Sequence, residues 1–222
     1  MFNFEKYEEI QGFISSKNKE TKIIAISKNH PQSVVLQALS WGIRNFGENK
    51  VQEANAKFEK LLTQYPDISL HMTGSLQTNK VKQSLMLFDY FHTLDREKLA
   101  IEFSKYPDLI KEKKFFIQVN TGKELNKSGT LPETLDNFFF FCKDKLKLNV
   151  VGLMCIPPIN EHPSKHFNIL QNMGKRLNLN KYSMGMSGDF EEAINLNSTH
   201  IRLGTVLFGE RKWKKRFIFI RI

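Results

Sequence analysis

Residues 23–47 read IIAISKNHPQSVVLQALSWGIRNFG. The opening run is apolar and β-branched, as a buried strand requires, and it ends at Lys28 shortly before Pro31. The following residues carry apolar side chains at helical spacing, and Pro31 stands where the first turn of a helix tolerates proline. A second short run ends at Gly47. Strand, helix and strand in this order predict a βαβ unit with two parallel strands.

The same alternation continues along the chain, with connections of a few residues and no low-complexity linker. Eight strands are predicted, over residues 23–27, 45–47, 70–73, 90–93, 115–120, 150–156, 182–184 and 201–208. Helices are predicted between them, over residues 32–41, 51–62, 79–85, 96–106, 132–145, 163–176 and 190–196. Another helix is expected ahead of the first strand, over residues 2–16.

Eight such units favour an α/β fold with a single closed (β/α)8 TIM-type barrel over an open doubly wound sheet. The 222 residues suit one domain and are few for this barrel, which typically has ~250, so its connections must be compact. Because TIM barrels place their chemistry at the carboxyl ends of the strands, the residues that end each run are the candidates for a site.

Composition excludes some classes of protein. No apolar run approaches the roughly 18 residues that cross a bilayer, and the N-terminus lacks the basic start of a secretory signal, so we expect a cytoplasmic protein and no membrane partner. The net charge of the chain is +10. Residues 210–222 carry six bases and one acid, so this segment contributes half of the net charge. We therefore divide the chain into a barrel over residues 1–211 and a basic extension over residues 212–222, and expect no nucleic-acid partner.

Small and polar residues gather after the last two predicted strands. Ser187 lies between two glycines ahead of a helical segment, and Gly204 and Thr205 form a second small, donor-rich turn. Barrels often bind phosphate in these two loops, through backbone N–H groups and hydroxyls. Taken separately, each segment is better explained as an ordinary helix cap or turn glycine; the two together on adjacent strands make a phosphate site about as good an explanation.

Lys28 ends the first predicted strand and so faces the same end of the barrel. A partly desolvated lysine there has a lowered pKa and forms Schiff bases with aldehydes, although a salt-bridged lysine is the commoner case. A lysine opposite a phosphate site is the pattern expected for pyridoxal 5′-phosphate (PLP). Arg202 shares a strand face with Gly204, where it would donate to the pyridine nitrogen of PLP or bind a carboxylate.

Longer segments resemble the PLP homeostasis (PLP-binding) protein family, which is similar to the N-terminal barrel of alanine racemase. The matching segments include AISKNHP at 25–31, FGENKVQEA at 46–54, YSMGMSGD at 182–189 and HIRLGTVLFGER at 200–211. The resemblance implies PLP held through a Schiff base with Lys28. The residues that it assigns to PLP binding are Lys28, Asn49, Ser187, Arg202, Gly204 and Thr205.

The resemblance also implies a role for Lys127 in cofactor transfer. The sequence departs from the family at His30, where many relatives carry a second lysine, and in its basic tail.

A carrier or regulator of PLP without a reaction of its own is therefore the predicted function, with PLP-dependent apo-enzymes as possible partners and a monomer as the expected state. The alternative is a small PLP-dependent amino-acid racemase. That reaction needs a second acid/base opposite the lysine, which alanine racemases take from a tyrosine on a separate domain. None of the five tyrosines of this chain falls at a suitable strand end.

Overall fold

The computed structural model describes residues 1–17 and 19–209, so the predicted basic extension over residues 212–222 lies outside the described residues. The described chain forms one closed barrel of eight parallel strands in chain order. The strands are β1 (Lys22–Ile26), β2 (Asn45–Glu48), β3 (Ser69–Met72), β4 (Tyr90–Leu94), β5 (Lys114–Gln118), β6 (Val150–Met154), β7 (Lys181–Ser183) and β8 (His200–Leu203). The predicted (β/α)8 barrel is confirmed.

Helices precede, separate and follow these strands, and the expected N-terminal helix is present as α1. The helices are α1 (Phe4–Ser16), α2 (Gln32–Ser40), α3 (Val51–Gln64), α4 (Val81–Leu85), α5 (Glu97–Ser104), α6 (Pro107–Ile110), α7 (Leu135–Phe140), α8 (Pro163–Arg176), α9 (Phe190–Asn195) and α10 (Thr205–Phe208). A 3₁₀ turn (Thr78–Lys80) leads into α4, and a π-helical turn (Phe141–Lys145) extends α7.

The last strand was predicted too long. It ends at Leu203, not at residue 208, because Gly204 leaves the extended conformation at φ −109° and ψ −82° and α10 begins at Thr205. The apolar residues of α10 were mistaken for strand because a four-residue helix shows too little of its period. Phe208 of α10 packs edge-on against Phe2, and the Asn3 N–H donates to the Leu207 carbonyl at 2.7 Å, so the start of the chain is anchored beside the end of the barrel.

Alternate residues of each strand face the helices or the barrel axis. Ile23 and Ala25 of β1 join the main core, which includes helix residues such as Val35, Phe58 and Leu170. Gly47 faces the other way, and a Cβ there would run into the Ile24 and Ile26 side chains. Even-numbered residues of β1 and β8 therefore point toward the axis, and this parity aims Arg202 into the barrel.

The interior of the barrel is polar for a packed core. His71, His92 and His200 are buried among the rings of Tyr90 and Phe116, with ring centroids 4.4 to 6.4 Å apart. Burial and, to a lesser extent, neighbouring cationic side chains lower the pKa of all three histidines, and together they lower that of His200 to about 3. The barrel therefore holds neutral imidazoles.

Within residues 1–17 and 19–209, no helix combines the length and apolar character that a membrane crossing requires.

Gly152 of β6 provides a test of how closely the barrel is closed. Its added Cβ would overlap the carbonyl oxygen of Lys181, so Gly152→Ala must separate β6 from β7. We expect the free energy of unfolding to fall by about 1–3 kcal/mol. Gly12→Ala in α1 is the control, since a Cβ there meets nothing within 4 Å, and it should raise the free energy by roughly 0.5–1 kcal/mol. Urea denaturation of both variants checks the pair, and equal effects would contradict the packing.

The neutral histidines predict acid sensitivity. Unfolded histidine binds a proton near pH 6.5 whereas the buried rings do not, so stability is fully present above pH 6.5 and is lost as the pH falls toward the folded pKa, about 3 for His200. Each ring contributes up to about 1.4 kcal/mol per pH unit. Urea denaturation between pH 5 and 7 should show a shallower pH dependence for His200→Phe than for wild type. Identical slopes would show that His200 takes up its proton without unfolding.

Candidate functional site

A pocket of about 310 Å³ opens at the carboxyl end of the barrel. It is lined by residues that follow β1, β2, β3, β6, β7 and β8, together with Ile26 from the end of β1 and Arg202 from within β8. All six residues that the sequence assigned to cofactor binding line this one pocket: Lys28, Asn49, Ser187, Arg202, Gly204 and Thr205. The tertiary structure therefore brings together residues up to 177 positions apart, from Lys28 to Thr205 (205 − 28).

Lys28 lies two residues beyond the end of β1, in a tight turn. The His30 N–H donates to the Ser27 carbonyl at 3.1 Å, and Asn29 adopts a left-handed φ of 63°, which asparagine tolerates better than most residues. Lys28 is half-buried in the pocket wall. The turn therefore presents the lysine amine at the mouth of the barrel.

A buried ion cluster under this turn holds it in place. The Lys57 ammonium of α3 donates to the Ser27 carbonyl at 2.6 Å and to Glu48 Oε1 at 2.6 Å, and lies 2.9 Å from Glu53 Oε1. Glu53 also accepts the Asn29 N–H at 2.5 Å. The peptide groups on both sides of Lys28 are therefore tied to α3.

The pKa values of the two carboxylates in this cluster shift in opposite directions. Burial raises the pKa of Glu48, and the nearby Lys57 ammonium and the Ser27 hydroxyl offset this only in part. Burial acts on Glu53 in the same direction, but hydrogen bonds from Lys57 and the Asn29 N–H outweigh it and lower the pKa of Glu53. The lowered pKa favours the ionised form of Glu53, which forms an ion pair with Lys57.

Asn49 forms the next part of the wall, after β2. Its side-chain oxygen accepts the Thr73 hydroxyl at 2.9 Å, and Gly74 packs so closely on the Asn49 backbone that a Cβ would overlap it. Asn49 is thereby held between the ends of β2 and β3, and its amide group is oriented by Thr73.

The opposite wall consists of hydroxyls and backbone amides. Ser187 follows β7, and its Oγ lies 3.5 Å from the Val206 nitrogen, so the loops after β7 and β8 lie side by side. Gly204 caps the start of α10 and Thr205 is its first residue, and the first N–H groups of a helix have no partner inside it. This wall is suited to binding the oxygens of a small anion.

Arg202 reaches the pocket from below and is 5% exposed. Its guanidinium donates to Ser183 Oγ at 2.7 Å and to the Cys155 carbonyl at 3.0 Å. Burial lowers the pKa of Arg202 from its usual value, yet arginine keeps its proton in proteins. Two of its five N–H groups make these bonds, so the guanidinium retains donors for a ligand.

Other predicted positions lie outside the pocket lining. The His30 ring stacks on Phe208 at 5.2 Å between centroids. Lys127 is exposed on the loop after β5, with its ammonium 3.9 Å from Glu124. Thr73, Ile156 and Met186 line the pocket without having been singled out in the sequence, although Thr73 and Ile156 close predicted strands and could have been found from that position.

The pocket is rich in donors, and no carboxylate lines it among the described residues. Fold and site together define a single (β/α)8 barrel with an amine on one wall of its mouth and a wall of hydroxyls and backbone amides opposite. Comparison with known proteins agrees with this class. The family model for the N-terminal domain of alanine racemase matches residues 5–212.

Curated relatives place the chain in a smaller group within this family. The pyridoxal phosphate homeostasis protein of Aquifex aeolicus is 38% identical over 204 residues, which cover 86% of this chain and 88% of that protein. The chain therefore belongs to the alanine racemase N-terminal domain family and, within it, to the pyridoxal phosphate homeostasis proteins.

Solved structures of similar proteins agree with this assignment. PipY of Synechococcus elongatus without PLP superposes with a TM-score of 0.84 at 32% identity, covering 92% of this chain and 99% of that chain. PipY with PLP bound superposes with a TM-score of 0.78 at 30% identity over the same shares. Alanine racemase of Clostridium difficile, at 13% identity and a TM-score of 0.71, shares the fold, and the match covers 94% of this chain and 57% of that one.

The ion cluster generates a stability prediction. Lys57→Met leaves the Glu48 carboxylate buried without its cation, and we expect the free energy of unfolding to fall by about 3 kcal/mol, as when one partner of a buried pair is removed. Lys105→Met is the control, because its ion pair with Glu102 lies on the surface, and it should leave stability unchanged within error. Urea denaturation measures both variants. Equal losses would show that the cluster is not a buried ion pair in solution.

Proposed function

We propose that this chain binds pyridoxal 5′-phosphate in the pocket at the carboxyl end of its barrel and acts in PLP homeostasis as a carrier or regulator. The observation that carries the proposal is the meeting of Lys28 with Ser187, Gly204 and Thr205 around one pocket, with Arg202 beneath them. The relatives with 30% identity or more include one whose structure holds PLP.

The residues present fit this cofactor. The pocket volume of about 310 Å³ lies at the lower end of the range for small-molecule sites, as suits a compact ligand. Bound PLP supplies an aldehyde that bonds to primary amines and a phosphate with negative charge. The pocket offers one lysine amine and, on the other wall, the hydroxyls and amides that oxyanions require.

Each side chain then has a distinct task. Lys28 supplies the amine that bonds covalently to the cofactor aldehyde. Ser187, Gly204 and Thr205 hold the phosphate, and Asn49 lies against the ring. Arg202 donates a hydrogen bond to the pyridine nitrogen and, as a permanent cation, keeps a proton away from it.

This arrangement favours a carrier over a racemase. An unprotonated pyridine ring is a poor electron sink, so Arg202 discourages carbanion chemistry. Racemisation also needs a second acid/base at the pocket, and neither a tyrosine nor a histidine is among the described residues that line it. Tyr90 lies at the amino end of β4, and the Tyr182 hydroxyl donates to the Leu179 carbonyl at 2.9 Å.

Lys28→Ala tests the binding of PLP. Purified wild-type protein mixed with PLP should show the visible absorbance of lysine-bound PLP, and borohydride reduction followed by peptide mass spectrometry should place the label on Lys28. Lys28→Ala should lose both signals, because no other lysine lines the pocket among the described residues. Lys127→Ala is the control, since Lys127 lies outside that lining, and it should retain both.

Two results would overturn the proposal. A wild-type protein that takes up no PLP, or a label on another lysine that survives Lys28→Ala, would show that the pocket is not the cofactor site. Interconversion of L- and D-amino acids by the wild type and not by Lys28→Ala would replace the carrier by a racemase.

A further inference from the structure

A chain of polar side chains runs from Arg202 along the inside of the barrel, away from the pocket. Arg202 of β8 contacts Ser183 of β7 at 2.7 Å, and Ser183 Oγ contacts His92 Nδ1 of β4 at 2.7 Å. His92 Nε2 lies 3.0 Å from His71 Nδ1 of β3. His71 Nε2 ends the chain at 3.4 Å from Asn45 Oδ1 of β2. Five strands thus contribute one side chain each.

The direction of these hydrogen bonds follows from their first member. Arginine has N–H donors and no acceptor, so Ser183 Oγ must accept from Arg202. Ser183 is fully buried, and the His92 Nδ1 atom is the partner its side chain has besides Arg202 among the described residues. The hydroxyl proton therefore goes to His92 Nδ1, since an unpaired buried hydroxyl costs about 1–3 kcal/mol.

The histidine tautomers follow in turn. An Nδ1 that accepts leaves the single proton of neutral His92 on Nε2, from which it is donated to His71 Nδ1. His71 is then also protonated on Nε2, which faces the acceptor oxygen of Asn45. Burial and the neighbouring cations keep both rings neutral, in agreement with one proton each. Every bond in the chain thus points away from Arg202.

This direction matters because Arg202 is a buried cation without a carboxylate in direct contact among the described residues. Its partners are a hydroxyl and a carbonyl, both neutral dipoles. A serine whose proton is committed to His92 turns its lone pairs toward the guanidinium, and chained hydrogen bonds strengthen one another in a low-dielectric interior. The chain and the Cys155 carbonyl, which bind two different nitrogens of Arg202, therefore fix the position and the plane of the guanidinium together.

We propose that Ser183 and His92, backed by His71, are positioning residues that hold Arg202 at the pocket floor so that its remaining N–H groups face the pyridine nitrogen of the cofactor. This inference rests on the proposed function for the identity of that ligand. The order of protons in the chain is a property of the protein alone, so it is tested without the cofactor.

The first experiment measures the tautomers. In ¹⁵N NMR spectra of the protein without added ligand, Nδ1 of His92 and of His71 should resonate as unprotonated nitrogens, and both Nε2 atoms should carry protons. A proton on Nδ1 of His92 would mean that Ser183 accepts from both sides, and it would overturn the inference.

The second experiment measures the effect on ligand binding. Ser183→Ala should weaken PLP binding roughly 10–100-fold, the range for a lost hydrogen bond to a charged group, and should shift the ¹⁵N resonance of the pyridine nitrogen in labelled PLP. Ser84→Ala is the matched control, because Ser84 is equally buried but donates to the Val81 carbonyl in α4 and is not among the residues that line the pocket. It should change neither quantity.

A pair of substitutions at His92 separates positioning from general loss of packing. Asparagine places an acceptor near the position of Nδ1 and should retain most of the affinity and the ¹⁵N shift, whereas leucine removes the acceptor and should lose both. If Ser183→Ala does not fold, the two His92 variants and the measured histidine tautomers test the inference in its place. Unchanged affinity and ¹⁵N shift in His92→Leu would overturn the inference while leaving the labelling of Lys28 intact, whereas failure of the wild type to bind PLP would overturn the proposed function.

Discussion

The pairing of β1 with β8 is the interaction on which the site depends. Lys22, Ile24 and Ala25 align with His200, Arg202 and Leu203, and this register closes the barrel. Because parallel strands end at the same edge, closure places the turn after β1 beside the turn after β8. The amine of Lys28 and the small residues Gly204 and Thr205 thereby share a pocket, although they lie at opposite ends of the barrel sequence. A one-residue slip would turn Arg202 toward the helices.

Many polar groups are buried in the barrel around this pocket. Lys57, Arg202 and three histidines are nearly inaccessible, and each has hydrogen-bond partners. Among the described residues, Glu48 Oε2 and His200 Nε2 are buried without a partner, which is costly in an interior of low dielectric. Such groups contribute little net stability. Their arrangement makes sense as orientation, because the Lys57 cluster holds the turn of Lys28 and the chain from Ser183 holds Arg202.

The same barrel serves alanine racemases and the pyridoxal phosphate homeostasis proteins, so the fold does not decide between catalysis and cofactor holding. The two kinds of protein differ in how much of their length this chain matches. This chain covers 57% of the racemase of Clostridium difficile but 88% of the homeostasis protein of Aquifex aeolicus. In this chain a lysine and an arginine line the pocket, and neither a tyrosine nor a histidine is among its described lining residues.

The sequence by itself determined the order of strands and helices, because periodicities of two and 3.6 residues are local properties that long segments display clearly. It also identified six of the eleven residues that line the pocket, because parallel strands direct their carboxyl ends to one face, small and polar residues mark the turns there, and the family resemblance added Asn49. It failed at α10, where four residues are too few to show a period. Only the tertiary structure revealed Glu48, Lys57, Ser183 and His92 as supports of the site. Their contacts join strands and helices that are up to 91 residues apart, and such long-range pairing depends on barrel register, which no local pattern encodes.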